Sequence, residues 1–232
     1  MIAGIHQLHY LPWLRYFEKI ARSDVFIVLD NIQYNKNGFQ NRNRIKTASG
    51  IVLLTVPVVD KYAQCLDEVE IDTKPNWRKK HWESIRQSYG KAPFFGEYAE
   101  FLAATYAQQW DRLNALNRHL LEYFLRVLGI RTRVLYASDL KVPGVATERL
   151  INLMRAAGCS TYYSGAYALD AYLDLPLLEA AGITLKLQQW QTPVYPQRYG
   201  PFVSDLSIID LLMHCGPDSL SVLLGNTSGE HE

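Results

Sequence analysis

Cysteine is scarce in this chain. Cys65, Cys159 and Cys215 stand far apart with no CxxC pair among the 232 residues. That spacing excludes a disulfide framework and a structural zinc site, and a reducing cytoplasm is the expected compartment. Charge of one sign is also lacking, for the formal net charge is +1. No global field argues for general nucleic-acid binding, so any charge argument must be local. No apolar run reaches the roughly 18 residues of a membrane span. The first residues enter an apolar run without a basic segment before it, so no signal peptide is expected. Neither G-x-G-x-x-G, GxxxxGK[ST] nor G-x-S-x-G occurs, which removes the dinucleotide, P-loop and nucleophile-elbow signatures. Gly/Ser linkers and repeats are missing too. The expectation is one α/β domain over residues 1–225, with a helical excursion or lobe at 76–128 and a flexible tail at 226–232.

What is present is apolar and aromatic. Hydrophobic residues make up 48% of the chain, ample for a core, with 15 tyrosines and 5 tryptophans suited to packing and to sugar or base stacking. Short apolar runs at 2–5, 25–29, 51–56, 132–135, 161–163 and 183–187 read as strands. Between them lie helical patterns at 13–20, 76–89 and 97–128, the last stopped by Gly129, and one from a Thr147 cap to Gly158. This alternation predicts a largely parallel, Rossmann-like sheet covered by helices, with 51–56 beside the first two strands.

The first 47 residues hold the densest chemistry. His6 and His9 follow the first strand, where open α/β sheets bind ligands. A neutral imidazole there can move a proton near pH 7, and a protonated one can stabilise phosphate charge. Two histidines at i, i+3 lack a third ligand, so no metal site is expected. Asp30 closes the second strand at the same edge, to bind a hydroxyl, amine or Mg²⁺, or to cap its turn. Lys36, Arg42, Arg44 and Lys46 then make a local positive field. If residues 40–47 are extended, Arg42, Arg44 and Lys46 share one face as a diphosphate clamp, aided by Gln40 and Asn41. Ser164 and Gly165 follow a later strand and offer backbone amides to an anion. Gln7, Tyr10, Trp13, Tyr172, Tyr195, Gln197 and Asp205 complete the substrate-binding set, with the aromatic loop 190–202 as a wall or lid. Asp205 or Ser204 also reads as the cap of the last long helix.

These residues spell a whole-chain pattern: Ile5-His6-Gln7, Tyr10 to Trp13 with Tyr16-Phe17, Ser23 to Asp30, Phe39 to Thr47, Tyr163-Ser164-Gly165 with Tyr172-Leu173-Asp174, and Tyr195 to Leu212. The chain resembles the WbqC-like proteins, departing from them at Leu8-His9 and Arg15. The resemblance implies bacterial surface-polysaccharide (O-antigen) biosynthesis and work on nucleotide-activated sugars. A remoter similarity is to HIGH-type nucleotidyltransferases and pantothenate synthetase, which implies ATP with Mg²⁺ as the cofactor. Leu8 stands where HIGH has its small Gly and is expected to crowd an adenine. The reading is an acyl or aminoacyl transferase, or ATP-dependent amide ligase, acting on a nucleotide-linked amino sugar. The alternatives are a noncatalytic sugar-nucleotide or glycan-binding accessory protein, and a nucleotidyltransferase.

Overall fold

The computed structural model describes residues 1–59, 61–171 and 173–225. Tyr172 and the expected tail 226–232 lie outside the described residues.

Five parallel strands form the central sheet: β1 (Ile2–Gln7), β2 (Val25–Leu29), β5 (Arg133–Tyr136), β6 (Thr161–Ser164) and β7 (Thr184–Leu187). Their spatial order is β5-β2-β1-β6-β7, which in order along the chain is 3-2-1-4-5, the Rossmann order. β1 is therefore the central strand. The chain builds outward from it on one side through β2, then on the other through β6, so the switch point lies between β1 and β6.

The strands are apolar because helices cover both faces. Alternation divides them: Ala3, Ile5, Val25 and Ile27 face a core shared with α6 (Ala146–Ala156) and α8 (Leu175–Ala180). Phe26 and Val28 face the larger core, built from α1 (Leu14–Ala21), α2 (Trp77–Tyr89), α3 (Phe95–Ala107), α4 (Leu113–Val127) and α9 (Ile208–Cys215). Gly4 allows α1 to settle on β1. A β-carbon there would lie 2.6 Å from Ser23 Oγ and 2.9 Å from Phe26.

Three expectations are corrected. Residues 51–56 do not join the central sheet; β4 (Gly50–Thr55) pairs antiparallel with β3 (Arg42–Thr47) in a separate ribbon. The tight Ala48-Ser49 connection dictates this partner, because a parallel neighbour needs a long crossover. The helical stretch at 97–128 is two helices, α3 and α4, broken at Gln108, where the backbone turns extended and the Trp110 indole donates to the Thr105 carbonyl at 2.8 Å. Caps also differ: α6 begins at Ala146 with Thr147 inside it, and α9 is capped by Ser207, whose hydroxyl accepts from Ile209 N–H, not by Ser204 or Asp205.

Buried asparagines fix the loops around the sheet edge. Asn43 of β3 donates to the Leu11 carbonyl at 2.6 Å, Asn114 of α4 to the Asp30 carbonyl at 2.7 Å, and Asn117 to the Gln40 carbonyl at 2.8 Å. Satisfying carbonyls that leave regular structure is what permits these turns to be buried.

Candidate functional site

A cleft of about 910 Å³ opens at the carboxyl edge of the sheet, across the switch point. β1 supplies His6 and Gln7, and the β1–α1 turn supplies His9 and Trp13. α1 adds Arg15, Tyr16 and Lys19. Asn31 follows β2, Arg149 projects from α6, Ser164 ends β6 and Gly165 follows it. Three permanent or near-permanent cations, Arg15, Lys19 and Arg149, line it, and among the described residues no acidic side chain does. Such a lining selects anions, and the volume suits a nucleotide-sized ligand.

The histidines are held neutral. His6 Nδ1 lies 3.2 Å from the Gln7 carbonyl, so Nδ1 carries the proton and Nε2 keeps its lone pair. Burial, then the Lys19 charge, pushes the His6 pKa well below its usual value. The His9 ring meets His6 edge to face, with centroids 4.8 Å apart. Burial and the same cation lower its pKa to about 3, and its buried Nδ1 has no hydrogen-bond partner among the described residues. His6 is therefore unprotonated at neutral pH, open at Nε2 to accept a proton but only from a strongly acidic donor.

Around them the walls are ordered by contacts behind the cleft. Trp13 packs edge-on to Phe39 at 4.4 Å, with the Arg15 guanidinium 5.1 Å from its ring. The Gln40 amide donates to Gln7 Oε1 at 3.1 Å while its own oxygen accepts from Asn35 N–H, so Gln40 orients Gln7 from outside. Arg149 donates to Asn31 Oδ1 at 2.5 Å and leaves its buried Nε without a partner among the described residues.

Other expected site residues lie elsewhere. Asp30 is fully buried behind the edge, where it accepts from Arg118, from Ser138 N–H at 2.9 Å and from the Ser138 hydroxyl at 2.7 Å. Arg42, Arg44 and Lys46 do not converge, and none lines the cleft. Arg42 caps its own loop, donating to the Gly38 carbonyl and to Asn37 Oδ1 at 2.9 Å, with Lys36 supplying another carbonyl. Arg44 is exposed, 5.9 Å from the Phe39 ring. Lys46 is buried and donates to the Pro201 carbonyl at 2.5 Å and to Gln197 Oε1 at 3.2 Å. Asn41 donates to the Val56 carbonyl, and Tyr10 is buried against His81 and Tyr106.

Tyr195 and Gln197 belong to a different polar centre. Tyr89, Tyr195 and Gln197 each donate to the buried Asp210 carboxylate at 2.9 Å, and burial raises the Asp210 pKa. With Lys46 this network fastens the loop 190–202 to the fold. Asp205 is exposed at the rim of a separate hollow of about 10 Å³, room for no more than a water.

Sequence reasoning missed Arg15, Lys19 and Arg149. Lys19 did leave a signal, a charged residue inside the apolar stripe of Tyr16, Phe17 and Ile20. Arg149 left none, because only the β1–β6 switch brings it across from α6.

Mg²⁺ takes oxygen ligands, commonly carboxylates, and this lining offers none, so a resident Mg²⁺ does not fit. Leu8 does not crowd the cleft; it is fully buried in the larger core and is not part of the cleft lining.

Comparison with known proteins agrees in family and extent. The chain is 37% identical over 220 residues to the uncharacterized protein Rv1507c of Mycobacterium tuberculosis, covering 93% of this chain and 94% of that protein. No solved structure matches. The sequence pattern of the WbqC-like protein family matches residues 7–222, nearly the whole fold, taking in His9 and every cation of the cleft and beginning one residue after His6, and the chain belongs to that family.

Proposed function

We propose that the protein transfers an activated acyl or aminoacyl group to the amine of a nucleotide-linked amino sugar, in the assembly of a bacterial surface polysaccharide. One observation carries the reading: an anion-selecting cleft at the sheet's switch point contains a neutral imidazole with a free Nε2 lone pair. A sugar amine arrives mostly as an ammonium and must lose a proton before it can attack. That proton leaves to solvent, and His6 Nε2 takes the second proton from the nitrogen as the C–N bond forms and the nitrogen turns acidic. The amine lone pair forms the amide C–N bond, the bond to the activating group breaks, and its electron pair leaves with that group. Arg15, Lys19 and Arg149 hold the ligand's phosphates, and Trp13 walls the sugar or base. Positioning and charge stabilisation supply most of the rate.

The test incubates the protein with dTDP- and UDP-amino sugars, ATP, activated acyl donors and pooled amino acids, followed by mass spectrometry. An N-acyl sugar nucleotide that disappears with His6→Ala is expected, with AMP beside it if the donor is made in the site. No product from any pool contradicts the reading.

A further inference from the structure

Lys19 is an expensive residue to place where it is. It lies 6% exposed on α1, and its stem crosses β1 at Gly4, where a β-carbon would come within 3.2 Å of Lys19 Cγ. The Nζ has no hydrogen bond or ion pair among the described residues. The charged groups nearest in the fold are Arg15 and Glu18 on its own helix, with His6 of β1 and His9 of the turn. Glu18 is occupied elsewhere: its carboxylate accepts from Arg22 at 2.6 Å, from Tyr163 at 3.0 Å and from Gln188 at 2.5 Å. A buried ammonium beside a guanidinium, with no countercharge in contact, is the arrangement that makes a lysine a nucleophile.

We propose that Lys19 is a nucleophilic amine that condenses with an anionic aldehyde or ketone held in the cleft, forming an imine. The inference goes beyond acyl transfer and rests on the reading of the cleft as an anion site. Burial and Arg15 lower the amine's pKa to about 8. About a tenth of it is then neutral at pH 7, on the order of a hundred-fold more than for an ordinary lysine. In the reaction the Nζ lone pair attacks the carbonyl carbon and the C=O π pair moves to oxygen. Proton transfer, with His6 as relay, moves a proton from nitrogen to that oxygen. A second proton, taken from solvent, reaches the hydroxyl as the C–O bond breaks, so water leaves with its electron pair and a protonated imine remains. Nothing is oxidised or reduced. Arg15 and Arg149 hold the carbonyl compound by its phosphate or carboxylate, which explains why an electrophile of this class would reach a lysine so deep.

Pyridoxal 5′-phosphate, an aldehyde bearing a phosphate, is the probe. The whole protein is incubated with it, reduced with borohydride, digested and mapped by mass spectrometry, while calorimetry follows binding of the probe and of a UDP-sugar. Labelling of Lys19 roughly tenfold faster than any other lysine, suppressed by the UDP-sugar, is expected. Lys19→Arg keeps the probe's reversible binding and loses the adduct at that position. If probe and UDP-sugar bind but labelling is spread over surface lysines, the imine is wrong and the anion cleft stands. If neither ligand binds, both readings fall.

Discussion

Gly4 and Lys19 occupy one crossing of strand and helix: a β-carbon on the glycine would lie 3.2 Å from Lys19 Cγ, with Ser23 Oγ closer still at 2.6 Å. Gly4→Ala therefore overpacks the contact between α1 and β1. A loss of about 1–3 kcal/mol is expected, read as a lower urea midpoint. An unchanged midpoint would show that α1 can shift freely, and the placement of Lys19 would lose its structural basis.

Asp30 is structural in this account. Arg118→Ala leaves its buried carboxylate without its cation and should cost about 3–5 kcal/mol. Ligand affinity, measured at a temperature where the variant remains folded, should stay within about twofold of wild type, since every Asp30 contact lies behind the cleft. A specific loss of affinity at wild-type stability would return Asp30 to the site.

Acid should unfold the protein from its histidines. His9 and His81 are held neutral by burial, with pKa values lowered from 6.5 to about 3 and about 4. A depressed histidine contributes stability that is intact above 6.5 and lost as pH falls toward the folded value, because only the unfolded chain takes up the proton. Each such group gives a slope of about 1.4 kcal/mol per pH unit inside that window. Urea titrations at pH 7.5, 6 and 5 should show the decline, and His81→Asn should make it shallower by about one proton. A flat profile would mean the rings are charged in the fold.

Much of this architecture was legible because it is local. The continuous apolar runs at β1 and β2 mark strands covered on both faces, and His6 at the end of β1 falls at the cleft for that reason. The cation row on β3 does not line the cleft, and period-2 alternation could not tell, because it says which side chains share a face, not what that face meets. Lys46 meets carbonyls of residues 200 and 201, and Arg42 meets its own loop. The cations that line the cleft come from α1 and α6, elements separated by more than a hundred residues, and only the sheet order brings them together. The pairing of β4 was recoverable in part, since Ala48-Ser49-Gly50 is a short turn, with Gly50 at φ +113.

The central claim is that the cleft between β1 and β6, not the β3 row, binds the substrate's phosphates. Calorimetric titration of UDP- and dTDP-amino sugars into wild type, Arg149→Ala and Arg44→Ala tests it in one experiment. Saturable binding is expected, weakened roughly ten- to a hundred-fold by Arg149→Ala, in keeping with the loss of a charge-assisted contact, and unchanged by Arg44→Ala. The reverse ranking, with Arg44→Ala abolishing binding and Arg149→Ala leaving it intact, would contradict the account.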